Sequence, residues 1–197
     1  MNKKIVLIDN FDSFTFNLYH LLYSTGDADI EVIRNNELTA AHIYSADAVV
    51  ISPGPGLPKE TNNLLELRES ILLHKPVLGV CLGHQFIAEY FGAELVNLSK
   101  VYHGIARNTR IVENENVMYR SFNRNFSAGS YHSWTVKKET EIPDLLINAR
   151  DDNNEIMSFT HANLPIWGVQ YHPESILTAT GKQLIENWFY YLTNHCW

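Results

Sequence analysis

The sequence predicts an α/β fold: an open, mostly parallel sheet with helices on both faces, plus a small antiparallel flanking sheet. Three observations predict it. The first half carries short apolar runs with no polar alternation, the pattern of strands buried on both faces. These runs alternate with segments of helical periodicity, as strand–helix–strand units require. From about Glu94 to Gln170 the texture changes to short extended segments between polar turns, which reads as antiparallel pairing.

In chain order, Lys4-Ile5-Val6-Leu7-Ile8 is the first strand, and Asp12-Ser13 is placed to cap a helix over Phe14 to Tyr23. Ile30 to Ile33 and Ala48 to Ile51 are the second and third strands, the latter ended by the turn Ser52-Pro53-Gly54-Pro55-Gly56. Leu64 to Leu73 has helical spacing of its leucines and isoleucine. Val77 to Val80 is a fourth strand, feeding Cys81 and a helical pattern through Phe91. Ala106 to Val112, Trp134 to Lys138, Leu145 to Ala149 and Ile156 to Thr160 are the extended segments of the second half, and Ile166 to Gln170 is a further strand end. The last helix is expected over Gly181 to Leu192, with Leu184, Ile185, Trp188 and Leu192 on one face. No repeat or linker interrupts the pattern, so residues 1–197 read as a single domain.

Composition narrows the class. Hydrophobic residues are 45% and charged residues 19%, ordinary for a globular protein. The formal net charge is −7 with scattered lysines and arginines, which points away from nucleic acid. The N-terminal apolar run stops at Asp9, too short for a secretory segment. Nothing approaches the length of a membrane span, and a cytoplasmic protein is expected. Of the two cysteines, Cys196 is next to the last residue and is expected to be frayed or exposed, so a disulfide with Cys81 is not expected. No CxxC or HExxH spacing supports a metal site.

The chemistry concentrates at Gly79-Val80-Cys81-Leu82-Gly83. Glycines two residues before and after a cysteine suit a sharp strand-to-helix turn. Such a turn places the thiol at a helix N-terminus, where the dipole favours thiolate. A cysteine nucleophile needs a base and a group to orient that base. Tyr171-His172-Pro173-Glu174 supplies both, since residues two apart in extended backbone point to one side. Donors for an oxyanion are expected from the backbone N–H groups of Leu82 and Gly56. Each feature alone has a blander reading, as a buried cysteine, a surface turn or a loop. Their joint placement at strand ends favours the chemical one. His103 and His132 read as structural.

These residues carry a resemblance. Gly79-Val80-Cys81-Leu82-Gly83-His84-Gln85 with His172-Pro173-Glu174 resembles the triad-type, class I glutamine amidotransferases. Asp9-Asn10-Phe11-Asp12-Ser13-Phe14-Thr15-Phe16-Asn17-Leu18, the Ser52 to Gly56 turn, Tyr131-His132-Ser133 and His172 to Thr178 are similar to the amidotransferase components of anthranilate and aminodeoxychorismate synthases. The resemblance implies that Cys81 attacks the side-chain amide of glutamine, that His172 moves protons and that Glu174 orients His172. It implies that Gly54, Pro55, Gly56, Gln85, Ser133 and Trp134 bind glutamine, the last two through main chain. It departs from the usual pattern at Trp134 (commonly leucine), at Ile105 (commonly lysine) and at Asn62-Asn63 (often Ala-Gly).

The resemblance also implies a partner: a larger chorismate-utilising synthase subunit that takes up the ammonia through a shielded path and holds magnesium. No cofactor is expected in this chain. The product would be anthranilate or aminodeoxychorismate, and some relatives serve both. A stand-alone cysteine hydrolase of γ-glutamyl compounds and a regulatory subunit without turnover are the alternative readings, the latter disfavoured by the intact Cys81, His172 and Glu174.

Overall fold

The computed structural model describes residues 3–25, 28–112, 116–139 and 142–194; Cys196 lies outside them. In chain order the elements are β1 (Lys3–Asp9), α1 (Thr15–Thr25), β2 (Ala28–Arg34), α2 (Ala40–Ser45), β3 (Ala48–Ile51), α3 (Asn63–Glu66), α4 (Arg68–Leu72), β4 (Val77–Val80), α5 (Leu82–Tyr90), β5 (Leu95–Asn97), β6 (Ile105–Ile111), β7 (Asn125–Ser130), β8 (Trp134–Val136), β9 (Leu145–Asp151), β10 (Ile156–His161), β11 (Ile166–Val169) and α6 (Gly181–Asn194). Single 3-10 turns occupy Pro58–Glu60 and Val117–Tyr119.

The main sheet runs β2-β1-β3-β4-β11-β10-β9-β6-β7, and a separate pair joins β5 to β8. From β2 to β11 every neighbour is parallel. From β11 to β7 every neighbour is antiparallel. The extended segments of the second half therefore continue the central sheet, and the flanking sheet is the β5–β8 pair alone.

Alternation along each central strand builds two cores. Ile5, Leu7, Ala48, Val50, Leu78 and Val80 pack with Leu18 and Leu22 of α1 and Leu184, Ile185 and Trp188 of α6. Their neighbours Val6, Ile8, Val49, Ile51 and Val77 face the other way, toward Ile43, Ile71, Leu72, Phe86 and Ile87. This is why the strands read as unbroken apolar runs: each residue meets a helix layer on one side or the other. Each fully buried side chain of this size contributes roughly 2 kcal/mol of transfer free energy.

Local chemistry sets the element ends. Asp12 Oδ1 accepts from Phe14 N at 2.8 Å, and Asp9 Oδ1 accepts from Thr15 Oγ1 at 2.8 Å, so α1 starts one residue later than the sequence pattern suggests. The helix expected over Leu64 to Leu73 is two short helices, with Leu67 at φ −93°, ψ 6° between them. There the Leu65 carbonyl accepts from the Arg68 guanidinium at 2.9 Å, a side-chain donor at the break. Helix α2 was not anticipated; Thr39 precedes it, with its N–H donating to His42 Nδ1 at 3.1 Å. Among the described residues no helix is long and apolar enough to cross a membrane.

Candidate active site

The parallel strands β1, β3, β4 and β11 deliver their carboxyl ends to one edge of the sheet, where open α/β sheets place their sites. Cys81 follows β4 directly and caps α5, with φ 52° and ψ −97°. A non-glycine residue in that region stores strain that the surroundings must hold. They do so at both ends: Cys81 N donates to Val169 O at 2.8 Å, and Cys81 O accepts from Gln85 N at 3.1 Å. The thiol is free and buried, 6% exposed.

Beyond β11 the chain bends at Gln170 and Tyr171 and then turns over His172 to Ser175, where Ser175 N donates to His172 O at 3.2 Å, so a turn and not the expected extended backbone sets His172 and Glu174 side by side. His172 N donates to Gly129 O at 3.0 Å, and His172 O accepts from Thr178 Oγ1 at 2.7 Å. His172 Nδ1 and Glu174 Oε1 are 2.8 Å apart, with both side chains almost fully buried. His172 Nε2 is buried without a conventional hydrogen-bond partner. Burial alone would lower this imidazole's pKa, but the nearby Cys81 sulfur and the Glu174 carboxylate outweigh burial and raise it to about 10. The rings of Tyr131 and Phe14 lie 4.8 and 5.5 Å from the imidazole, both near edge-on.

A cavity of about 390 Å³ opens beside the sulfur, lined by Gly54, Pro55, Gly56, Leu57, Glu60, Cys81, Leu82, Gln85 and Tyr131 to Trp134. Every residue expected to bind glutamine or to supply an oxyanion donor is on that wall. His172 and Glu174 are not among the residues that line it. Gly56 has φ 78°, a conformation that glycine adopts without strain. The Glu60 carboxylate accepts from Leu57 N at 2.8 Å and braces this loop. Leu82 opens α5, so its N–H has no partner one turn back.

The departures now have structural readings. At Trp134 it is the carbonyl that matters locally: it accepts from Gln85 Nε2 at 2.7 Å and lies 3.0 Å from His132 Nδ1. Asn62 sits at φ 49°, where glycine would be unstrained. Its amide donates to Asn35 at 3.1 Å, Asn35 donates to Asn10 at 2.9 Å, and Asn10 donates to Ser52 O at 3.0 Å. That chain of amides ends at the Pro-Gly-Pro-Gly loop. Ile105 is an exposed residue at the start of β6.

Two further polar residues stand at the site, Gln170, which was given no role from sequence, and His132, which was read as structural. Gln170 is completely buried and donates to Cys81 Sγ at 3.6 Å. His132 lines the cavity, and its pKa falls to about 4 through burial and the nearby Arg107. Since a carbonyl only accepts, its Nδ1 carries the hydrogen toward Trp134.

The profile of the family described as glutamine amidotransferase class-I matches residues 6–192. The chain belongs to this family. It is 39% identical over 185 residues to the aminodeoxychorismate/anthranilate synthase component 2 of Bacillus subtilis, covering 93% of this chain and 94% of that protein. It is 39% identical over 189 residues to the bifunctional protein TrpGD of Thermotoga maritima, covering 94% of this chain but only 32% of that longer protein. A glutamine amidotransferase of known structure from Thermotoga maritima superposes with a TM-score of 0.76 at 13% identity, covering 99% of this chain and 100% of that one, a likeness of fold. The fold class and family expected from the amidotransferase motifs thus stand.

The buried histidines make stability depend on pH in two opposite ways. His84 is lowered to about 3 by burial, and His132 to about 4. Both stay neutral in the fold while the unfolded chain takes up protons below about 6.5, so their contribution is present above that pH and lost as pH falls toward 4 and 3. His172 has the reverse sign: its contribution is complete below about 6.5 and is lost as pH rises through about 10. Thermal melts from pH 4 to 10 should therefore peak near neutrality. His172→Asn should flatten the alkaline limb and leave the acid limb in place; an unchanged alkaline limb would contradict the charged state assigned to His172.

Proposed function

We propose that this chain is the glutaminase subunit of a chorismate-using synthase, hydrolysing L-glutamine to glutamate and passing ammonia to a larger partner for anthranilate formation. The observation that carries the reading is the strained Cys81 turn at a helix start, backed by the buried His172–Glu174 pair and opening on a cavity lined by the whole expected glutamine set.

The steps follow from these positions. Cys81 Sγ attacks the amide carbon of the glutamine side chain, and the resulting oxyanion takes hydrogen bonds from the N–H groups of Leu82 and Gly56. His172 delivers a proton to the departing nitrogen, which leaves as ammonia, and a γ-glutamyl thioester remains on Cys81. Water then attacks the thioester, with His172 accepting its proton, and glutamate and the thiol are regenerated. Glu174, through Nδ1, holds the imidazole in register and favours its charged form. Residues 1–197 act as a single amidotransferase domain in the cytoplasm, without a cofactor of its own; magnesium belongs with the partner. Ammonia released into neutral water would be protonated and lose its nucleophilicity, which supports direct transfer. Phe11, Phe16 and Ile176 are exposed apolar side chains near this same edge, suited to a docking partner.

Reconstitution with anthranilate synthase and aminodeoxychorismate synthase large subunits tests the proposal. Glutamine-dependent formation of the aromatic amine is expected with the anthranilate partner, and activity with the other as well would mean a shared subunit. Failure of glutamine to support synthesis with either, when ammonium salts do, would overturn it.

A further inference from the structure

The site contains a two-amide relay whose direction is fixed by a main-chain carbonyl. Trp134 O can only accept, so the atom of Gln85 that reaches it at 2.7 Å must be Nε2. The second hydrogen of that nitrogen points to Gln170 at 3.1 Å, so Gln170 must present its oxygen there. Its own Nε2 is thereby left facing Cys81 Sγ at 3.6 Å. Reversing either amide would set two donors or two acceptors against each other in a buried place, which is costly. Both N–H groups of Gln85 are committed to this relay, and only its oxygen remains for a ligand in the cavity.

We propose that Gln170 is a positioning residue for the nucleophile: its amide, oriented by Gln85, donates to the Cys81 sulfur and holds it in line with the cavity. A donor at this distance favours the anionic sulfur. The relay also ties the Trp134 carbonyl, on the cavity wall, to the sulfur that reacts. His172 does not duplicate this role, because it must move a proton, whereas the Gln170 amide cannot give one up. The proposal deepens the glutaminase reading and rests on it for its kinetic arm only.

The test uses the full chain, its synthase partner and two variants. Gln170→Met keeps the length without a donor. Gln170→Glu keeps size and an acceptor for Gln85 but sets a carboxylate against the sulfur. Residue-resolved mass spectrometry follows alkylation of Cys81 by iodoacetamide at neutral pH. Loss of one hydrogen bond to a charged group predicts a roughly 10- to 100-fold slower alkylation in Gln170→Met, and slower still in Gln170→Glu. The kcat for glutamine should fall in step while KM changes by less than about twofold, the split expected when the nucleophile and not ground-state binding is affected. Alkylation at wild-type rate in either folded variant overturns the proposal, even if glutaminase activity falls. If the wild-type complex does not hydrolyse glutamine, the functional reading fails, and the alkylation contrast still decides the role of Gln170.

Discussion

Cys81→Ser is expected to lower glutamine hydrolysis by about 10⁴-fold or more, while ammonia-dependent synthesis by the partner continues at the wild-type rate. The change is small in volume, and Cys81 is held by main-chain hydrogen bonds to Val169 and Gln85, so the turn should persist. The reactivity would not. A hydroxyl is far less acidic than a thiol, and His172 is held in its charged form, its pKa raised to about 10 by the nearby Cys81 and Glu174 against the effect of burial. A charged imidazole cannot serve as the base that a serine would need. Glutaminase assays on the complex, run beside ammonium-driven synthesis, separate loss of the nucleophile from loss of assembly. A serine variant retaining more than about one hundredth of wild-type hydrolysis would reassign the nucleophile.

The same positions show how far a sequence can be read. The strand β4, the turn at Cys81 and the start of α5 were legible because they are local: an apolar run, two glycines and a helical spacing occupy adjacent residues. The pairing of His172 with Glu174 was legible because the two residues are neighbours in sequence, although a turn closed by Ser175 N to His172 O, and not the strand alternation expected, brings them together. The continuation of the sheet through β10, β9, β6 and β7 was not, since strand order depends on contacts between distant segments. The amide relays escaped for the same reason. Gln85 and Gln170 are 85 residues apart, and Asn62 and Asn35 are 27 apart; nothing in either neighbourhood announces its partner. The split between α3 and α4 was hidden because the apolar periodicity runs through it unbroken.

Gly83→Ala is expected to cost both stability and activity, against the usual preference of helices for alanine. Gly83 lies in the first turn of α5. A Cβ there would stand 2.5 Å from the carbonyl oxygen of Ile51 and 2.9 Å from its Cβ. Ile51 ends β3, a central strand paired on both sides, so the obstacle is backbone that cannot swing away. Alanine would gain about 1 kcal/mol of helix propensity, but overpacking of this kind costs about 1–3 kcal/mol and more when main chain must move. A net loss of about 2 kcal/mol corresponds to a melting temperature lower by roughly 4–8 °C in a chain of this size. The larger effect is on catalysis. Cys81 and Leu82 are continuous with that helix turn, so lifting α5 off β3 displaces the sulfur and the oxyanion donor together. A misplacement of about 1 Å can cost on the order of 100-fold in rate. Gly92→Ala is the control, since Gly92 has φ 94° but nothing within 4 Å of an added Cβ. It should show a conformational cost in melting and near wild-type kcat. If Gly83→Ala matched that control in both measurements, the close seating of α5 on the sheet would not be what holds the nucleophile in place.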